Sequence, residues 1–293
     1  MINALLKKTR RFKRRNVQLK HGRAIPLTIS VRPNRYIRWK SGMDFCLALL
    51  LLAPGLPLMA VCFVLVRLTS PGPALFRQCR VGRNGVIFCL YKIRSMSLDA
   101  EARTGPAWTQ AADPRITRIG HFLRKFHLDE LPQLFNVIKG EMSLVGPRPE
   151  RPEFVDILSR RISSYQDRLA ALPGITGLAQ VNLPPDSDLD SVRRKVILDL
   201  EYIKTANLSL DLRLIICTIL RIFKLPALGL FGLYRNVKLP ERTTEERQPG
   251  AAEKVVTLIQ IQEKVNTRHT NGACEKPSTR HYCMCKTSSP LPR

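Results

Sequence analysis

Two adjacent carboxylates, Asp129 and Glu130, stand in the segment KFHLDELPQ, directly after a strongly basic stretch. Helix signals follow at once, because Pro132 suits a first helical turn and Lys139-Gly140 is a typical stop. Carboxylates in this position usually cap a helix or interact with its dipole. Spacing alone therefore favours a structural role over a catalytic one. The charges around the pair provide further evidence on its role.

Basic residues flank the acidic pair on both sides in the sequence. They are Lys92, Arg94, Arg115, Arg118, Arg124 and Arg148. An arginine can bind a phosphate through two parallel N–H groups, and such side chains would neutralise a phosphorylated substrate. Taken singly, each is as well explained as a solvated surface charge. Their concentration around one acidic pair favours a phosphate-binding site.

Local sequence patterns predict the elements that would carry these residues. Asn84-Gly85 between two apolar segments predicts a β-hairpin, with Lys92 and Arg94 near the end of its return strand. Apolar residues at helical spacing over 116–126 predict a basic amphipathic helix. The acidic pair would follow this helix and lie at the positive end of the next one.

Two stretches rich in proline and glycine follow, SLVGPRPERPEF at residues 143–154 and LPGITGLAQVN at residues 172–182. Both predict irregular loops, since these residues interrupt regular structure. Helices are expected again at residues 189–206 and 209–223. The sequence therefore predicts an α+β fold that is mainly helical and contains a β-hairpin.

An apolar run from Phe45 to Val66 carries no charged residue. As one straight helix it would extend about 33 Å, enough to cross a hydrocarbon core of about 30 Å. Pro54, Gly55 and Pro57 lie at its centre, and they predict a sharp break between two short half-helices.

Both flanks of this run are strongly basic, and residues 1–43 contain no acidic residue. The positive-inside rule disfavours export of either flank. A re-entrant helix-break-helix, which enters one leaflet and returns, is therefore preferred to a kinked span, which remains the alternative. A cleaved signal peptide fits less well, because the preceding basic region is too long and no small-residue cleavage site follows.

The whole chain has 293 residues, 44% of them hydrophobic, and a formal net charge of +25. This size allows one sizeable core, and the charge indicates a polyanionic partner such as nucleic acid, an anionic membrane or a phosphorylated substrate. The C-terminal cysteines and histidines lack paired C-x-x-C spacing, so free thiols in a loose tail are favoured over zinc. They are His269, Cys274, His281, Cys283 and Cys285.

Three long segments resemble the bacterial sugar transferase family: SPGPALFRQCRVGRNGVIFCLYKIRSM, DPRITRIGHFLRKFHLDELPQLFNVIKGEMSLVGPRPE and PGITGLAQVN. The resemblance extends in order from Trp39 to Phe223 and includes the apolar run. It implies a monotopic phosphoglycosyl transferase, which moves a sugar-1-phosphate from a uridine diphosphate (UDP) sugar to a polyprenyl phosphate and releases uridine monophosphate (UMP). Such an enzyme would initiate exopolysaccharide, O-antigen or other surface glycan synthesis at the cytoplasmic face of the bacterial inner membrane.

By this resemblance, Asp129 is the nucleophile that forms an aspartyl-phosphosugar, and Glu130 together with Asp129 holds a Mg²⁺ ion. Lys92 and Arg124 match phosphate-binding positions, and Pro147-Arg148 matches a loop that grips the nucleotide. The substrate-binding candidates added by charge alone are Arg94, Arg115 and Arg118. A helix N-terminus would keep Asp129 ionised at neutral pH.

The predicted organisation has four parts: a basic arm at 1–38, a re-entrant membrane segment at 39–70, a compact catalytic domain at 71–225 and a largely disordered tail at 226–293. Expected partners are the UDP-sugar, the polyprenyl phosphate and membrane lipids, with no nucleic acid, while a homodimer is left open. The alternative is a basic protein that binds membranes or nucleic acid without catalysis, although no helix-turn-helix, zinc-finger or aromatic pattern supports it. Donor choice rests on a few pocket contacts, so the sugar is left open.

Overall fold

The computed structural model describes residues 27–98, 100, 113–186 and 188–223. Their helices are α1 (Arg35–Thr69), α2 (Arg118–Lys125), α3 (Gln133–Ile138), α4 (Pro152–Arg161), α5 (Leu178–Asn182), α6 (Leu189–Thr205) and α7 (Leu208–Ile222). Their strands are β1 (Leu75–Val81), β2 (Ile87–Ile93), β3 (Ser143–Val145) and β4 (Gly174–Thr176). The described part is mainly helical and carries two small two-stranded sheets, which confirms the predicted α+β class in outline.

Helix α1 passes through the apolar run as one helix, with Pro54 and Pro57 inside it. The structure therefore differs from the prediction of two separate half-helices, and it does not confirm a re-entrant path. Each proline removes one N–H donor from the helix. Gly55 between them is buried against α3, where an added Cβ atom would lie 3.8 Å from the Leu134 side chain. This tertiary packing, which the local pattern does not reveal, supports the helix through the prolines.

Among the described residues, α1 is the one helix long and apolar enough to cross a membrane, with a mean hydropathy of 2.6 over its most apolar window. Much of its length exposes large apolar side chains. They are Leu49, Leu50, Leu51, Leu56, Leu58, Val61, Val64, Leu65 and Leu68. An exposed apolar surface of this size is typical of contact with lipid or with another protein.

The Asn-Gly hairpin is present as predicted. Strands β1 and β2 pair in antiparallel register, with Val81 opposite Ile87 beside the turn. Asn84 and Gly85 adopt positive φ angles of 58° and 76° in the connection, a backbone region that asparagine and glycine enter at low cost. The return strand β2 carries Lys92 next to its last residue.

Helix α2 forms as predicted and begins at Arg118, with the Thr117 side chain accepting a hydrogen bond from the Gly120 N–H. It packs closely on the chain after β2, since a Cβ atom on Gly120 would lie only 1.9 Å from the Ser95 carbonyl oxygen. Glycine is required here by the close approach of two backbones. The contact brings α2, with Arg124 in its last turn, against the end of the hairpin.

Strands β3 and β4 form a short parallel pair that was not predicted, because both lie in stretches interpreted as irregular loops. Glycine explains the difference. A Cβ atom on Gly174 would lie 2.1 Å from the Gly146 nitrogen, and one on Gly177 would lie 2.2 Å from the Gly146 oxygen. The two backbones touch where side chains are absent. The first predicted loop also contains the start of α4, at Pro152.

Helices α6 and α7 match the two predicted C-terminal helices closely. A core cluster of buried apolar side chains joins the N-terminal part of α1 to β2, α3, β3, α5, α6 and α7. A second cluster joins α4 to α6 and to the 3₁₀ segment Tyr165–Ala170. The C-terminal part of α1 packs instead on β2 and α2. Helix α1 is thus part of the protein core at both of its ends.

A buried polar network also ties α1 to the rest of the fold. Lys40 is 3% exposed, and its ammonium group donates to Asp211 Oδ2 at 2.5 Å, to the Val145 carbonyl oxygen at 2.9 Å and to the Tyr202 hydroxyl at 3.0 Å. Asp44 lies one helical turn from Lys40, at 3.8 Å. Charges removed from water in this way require such partners.

Two predicted regions fall outside the described residues. The first is the basic arm as far as position 26, and the second is the whole C-terminal tail at 226–293. The group of cysteines and histidines at 269–285 belongs to that tail.

Candidate active site

Asp129 and Glu130 lie in a single 3₁₀ turn, Leu128–Glu130, between α2 and α3. Helix α3 begins only at Gln133, so the pair precedes this short helix and does not form its first turn. His127, directly before the 3₁₀ turn, has a positive φ of 53°, which redirects the chain after α2. Asp129 is 6% and Glu130 is 7% exposed, so both carboxylates are buried.

Glu130 is held by two cations. Its Oε1 atom accepts a hydrogen bond from Lys92 Nζ at 2.9 Å and another from a terminal guanidinium nitrogen of Arg148 at 2.6 Å. Burial alone would raise the pKa of this carboxyl, but Arg148 and Lys92 outweigh burial and hold the pKa of Glu130 well below its usual range. Glu130 is therefore a fixed negative charge at any ordinary pH.

Asp129 has a different environment from its neighbour. In the part of the chain that the structure describes, no residue donates a hydrogen bond to its carboxylate. Burial raises the pKa of Asp129; Lys92 opposes this rise and the charge of Glu130 adds to it. Burial thus works against the charged form of Asp129, which a helix N-terminus was expected to favour. A buried carboxylate that has a raised pKa and accepts no hydrogen bond from the described residues is typical of a reactive site.

Arg124 adds a third positive charge beside the acidic pair. Its Nε donates a hydrogen bond to Ser95 Oγ at 2.8 Å. Burial lowers the pKa of Arg124, and the nearby charge of Asp129 opposes that shift. Together with Lys92 and Arg148, it gives the site three cations for two carboxylates. The resulting positive charge suits a phosphorylated ligand.

Within the described part of the chain, the other three basic candidates do not contact the acidic pair. Arg94 is buried and donates to two backbone carbonyl groups after the C-terminal end of α1, at 2.8 and 2.6 Å. Arg115 pairs with Asp113 through two guanidinium nitrogens, at 2.8 and 2.6 Å. Arg118 is exposed at the first position of α2. Of the six basic candidates, the structure thus brings three to the acidic pair.

Pro147 and Arg148 belong to the segment that follows β3, residues 146–148, which we call the Arg148 loop. Backbone hydrogen bonds fasten this loop to β4. The Gly146 N–H donates to the Thr176 carbonyl oxygen at 2.9 Å, and the Pro147 carbonyl oxygen accepts from the Gly174 N–H at 2.9 Å. The segment predicted to grip a nucleotide is therefore anchored to β4 by two backbone hydrogen bonds, and the Arg148 side chain extends to Glu130.

Two charged residues next to the site, Arg168 and Asp199, were not predicted. Each is 2% exposed, and Arg168 donates both to Asp199 Oδ2 and to the backbone carbonyl oxygen of Arg148. The sequence contains a signal for them. Asp199 follows Val192 and Val196 on the apolar face of α6, where a charge requires a buried partner.

The acidic pair also suits a divalent cation. Within the described ranges, no group of three or more His, Cys, Asp or Glu side chains could hold a metal. Mg²⁺ requires fewer ligands from the protein, because it commonly binds one or two carboxylates together with substrate phosphates and waters. Glu130 uses the single oxygen Oε1 for both of its described cationic partners. Its second oxygen and the Asp129 carboxylate are therefore the ligands that fit Mg²⁺.

The chain is similar to one protein family and to several known proteins. A family model described as Bacterial sugar transferase matches residues 35–225. A protein of Bacillus subtilis (strain 168), provisionally named undecaprenyl-phosphate N-acetylgalactosaminyl 1-phosphate transferase, is 50% identical over 144 residues, which are 49% of this chain and 80% of that protein. The UDP-N-acetylgalactosamine-undecaprenyl-phosphate N-acetylgalactosaminephosphotransferase of Aeromonas hydrophila is 45% identical over 180 residues, 61% of this chain and 42% of that protein.

A third relative, the UDP-glucose:undecaprenyl-phosphate glucose-1-phosphate transferase of Caulobacter vibrioides, is 42% identical over 184 residues, 61% of this chain and 68% of that protein. The chain therefore spans less than half of the Aeromonas relative and more than two thirds of the other two. Two of the three names give N-acetylgalactosamine as the sugar and the third gives glucose, and all three include undecaprenyl phosphate. Because the family model covers well over half of the chain and includes the acidic pair and its three cations, the chain is a transferase that belongs to the bacterial sugar transferase family.

Proposed function

We propose that the protein transfers a sugar-1-phosphate from a UDP-sugar to undecaprenyl phosphate, or another polyprenyl phosphate, and releases UMP. The observation that carries this proposal is the contrast within the acidic pair. Asp129 accepts no hydrogen bond from any described residue, whereas Glu130 is bound by Lys92 and Arg148. One carboxylate is thus available for bond formation, and the other holds two cations in place. The names of the relatives support the donor and acceptor classes.

In the proposed first step, an oxygen of the Asp129 carboxylate attacks the phosphorus nearest the sugar. The bond between that phosphorus and the bridging oxygen breaks, and UMP leaves with the bonding electrons. In the second step, a phosphate oxygen of the polyprenyl phosphate attacks the same phosphorus and displaces the carboxylate. Asp129 returns to its starting state, and the products are UMP and a polyprenyl diphosphate sugar.

A carboxylate that approaches a diphosphate meets strong repulsion between like charges. In this proposal, Lys92, Arg124 and Arg148 neutralise the donor phosphates and the negative charge that develops on the departing UMP, and their proximity to the acidic pair supports this role. Asp129 and Glu130 would hold Mg²⁺, which when bound would screen the same diphosphate. Lys92 and Arg148 also orient Glu130, and thereby its second oxygen.

The proposal places the enzyme at the cytoplasmic face of the bacterial inner membrane, as a monotopic protein anchored by α1. The apolar length of α1 and the basic residues at both of its ends support this placement. A soluble UDP-sugar and a lipid phosphate both reach such a site. The product would begin an exopolysaccharide, an O-antigen or another surface glycan.

The proposed reaction is tested with membranes that contain the protein, a panel of UDP-sugars and a polyprenyl phosphate. We expect UMP release that depends on Mg²⁺, together with transfer of labelled sugar to the lipid fraction, for one or a few of the donors. Folded, membrane-bound protein that releases no UMP with any donor would overturn the proposal. UMP release without a labelled lipid would show that the proposed second step, transfer to the polyprenyl phosphate, does not occur.

The proposed topology predicts the accessibility of two single cysteines, one near Lys20 and one near Arg83, in a cysteine-free background. If both flanks of α1 are cytoplasmic, neither cysteine in intact cells reacts with an impermeant thiol reagent applied from outside. Both react after the membrane is permeabilised, which serves as the control. Labelling of either position in intact cells would show that α1 crosses the membrane.

Arg148→Lys is expected to reduce turnover on the order of tenfold or more, although the charge is kept. Lysine presents one nitrogen, so it cannot hold Glu130 and a phosphate with the planar donor geometry of arginine. Arg160→Lys is the matched control, because Arg160 is largely exposed and pairs with Asp156 on the surface of α4. Equal turnover of both variants would exclude Arg148 from the phosphate site.

A further inference from the structure

The backbone of Arg148 is held by a buried guanidinium. Arg168 lies in the 3₁₀ segment Tyr165–Ala170 and donates to the Arg148 carbonyl oxygen at 2.8 Å. Its Nε donates to Asp199 Oδ2 at 2.9 Å, and another nitrogen donates to the Tyr165 hydroxyl at 3.0 Å. One side chain thus connects α6, the 3₁₀ segment and the Arg148 loop.

A buried ion pair of this kind is weak evidence for stability. Removing two charges from water is costly, and apolar residues of similar volume often serve as well. The hydrogen bond from Arg168 to the Arg148 loop has a different effect. It fixes the Arg148 carbonyl group and leaves the Arg148 side chain free to enter the site. That side chain is the one that reaches Glu130 at 2.6 Å.

Other contacts hold the same loop at its earlier positions. The Val145 carbonyl oxygen, directly before the loop, accepts hydrogen bonds from Lys40 and from the Tyr202 hydroxyl. The Pro147 carbonyl oxygen accepts one from the Gly174 N–H. The contact from Arg168 adds restraint at the residue whose side chain enters the site, where a shift of the backbone moves the guanidinium directly.

We propose that Arg168, oriented by Asp199, is a positioning residue that fixes the Arg148 backbone so that the Arg148 guanidinium meets Glu130 and the phosphates of the donor. This inference rests on the phosphate role proposed above for Arg148. Arginine suits the task because its planar fork reaches Asp199 and the carbonyl group at the same time, whereas lysine has one nitrogen. Preorganised groups stabilise a transition state without reorganising during the reaction, so a small displacement of Arg148 lowers the rate.

A double-mutant cycle tests the inference. Arg148→Ala removes the functional side chain but keeps the carbonyl group that Arg168 holds. We expect Arg168→Lys to reduce labelled sugar transfer about tenfold in the wild-type background and less than about twofold in the Arg148→Ala background, since contacting residues that act together are not additive. A loss by the same factor in both backgrounds would overturn the inference, because Arg168 would then act independently of Arg148.

A second readout does not require turnover. A UDP-sugar that binds the folded protein raises its melting temperature, and this shift reports donor affinity. If Arg168 positions Arg148, the donor-induced shift decreases in Arg168→Lys, and adding Arg168→Lys to Arg148→Ala does not decrease it further. If Arg168 only stabilises the fold, the melting temperature without donor falls while the donor-induced shift stays as in the wild type, and the inference is wrong.

Asp167→Asn is the matched control, because Asp167 neighbours Arg168, is 7% exposed and bonds the segment at Ser30 and Val31 instead of the Arg148 loop. It should lower thermal stability and keep the donor-induced shift. Should Arg168→Lys fail to fold, Asp199→Asn keeps the guanidinium and removes its charge partner, and the same cycle applies to it.

The outcomes separate this inference from the proposed function. Full activity of Arg148→Ala would show that Arg148 does not belong to the phosphate site. The inference about Arg168 would then also be wrong. A large loss in Arg148→Ala, combined with additive losses for Arg168→Lys, would keep the proposed function and reject only the positioning role.

Discussion

Replacing Asp129 with asparagine is expected to abolish sugar-phosphate transfer and leave the protein folded. Asparagine cannot form the phosphate anhydride that covalent transfer requires, so the rate should fall about 10³-fold or more. Little stability should be lost, because no described residue donates a hydrogen bond to the Asp129 carboxylate. Removal of its charge also relieves the cost of burying that charge and the repulsion from Glu130, which offset the lost attraction to Lys92. The measurement is labelled sugar transfer, with the melting temperature as the check on folding.

The covalent intermediate can be observed directly in the wild type. With donor and Mg²⁺ but no lipid acceptor, the protein should release UMP in a burst of about one equivalent per active site, as expected for a two-step covalent mechanism. The peptide that contains Asp129 should gain the mass of one sugar-phosphate. Normal turnover of Asp129→Asn, or a labelled peptide that excludes Asp129, would show that the mechanism is wrong for this chain.

The raised pKa of Asp129 also predicts the acid limb of the pH profile. The proposed nucleophile is the carboxylate, so kcat/KM falls as pH drops through the pKa of the free enzyme. Burial places that pKa above the ordinary value of 3.8. Glu130 has a lowered pKa and stays ionised over the same range. An acid limb below the ordinary aspartate value would contradict this assignment.

Glu130→Gln is the second change with a large expected effect. It removes the negative charge that Lys92 and Arg148 share, and it removes a carboxylate ligand for Mg²⁺. We expect turnover to fall on the order of 100-fold, with part of the loss relieved by excess Mg²⁺. Stability should also fall, by about 1–3 kcal/mol, because two partly buried cations lose their partner.

The control for this variant is Glu153→Gln, since Glu153 is about half exposed in the first turn of α4 and lies outside the site. Its turnover and its Mg²⁺ dependence should match the wild type. A Glu130→Gln protein whose Mg²⁺ requirement is unchanged would remove Glu130 from the metal site, even if its activity is low.

Local chemistry explains why some elements were predictable from the sequence. The hairpin depends on Asn84-Gly85, and α2, α6 and α7 depend on apolar spacing, so each is specified within a few residues. The β3–β4 pair depends instead on contact between Gly146 and Gly174, which are distant in sequence. The continuity of α1 through Pro54 likewise depends on packing against α3, and single-segment patterns do not encode such contacts.

The candidate site also contains some residues that the sequence predicted and others that it did not. Family resemblance selected Lys92, Arg124 and Arg148, which the structure brings to the acidic pair. Charge alone added three further arginines that contact other groups or solvent, because charge does not show which way a side chain points. The sequence does not predict a role for Arg168, because it lies between two irregular stretches and its partner Asp199 is far along the chain on α6.

The buried Lys40 of α1 bears on how the protein is made. Its partner Asp211 lies 171 positions later in the chain. At about 5–20 residues per second, the ribosome needs roughly 10–30 s to synthesise the intervening segment. Throughout that interval Lys40 can pair within its own helix only with Asp44, one turn away, while the apolar length beyond it is already exposed. We therefore expect the nascent helix to be captured early, by lipid or by a chaperone.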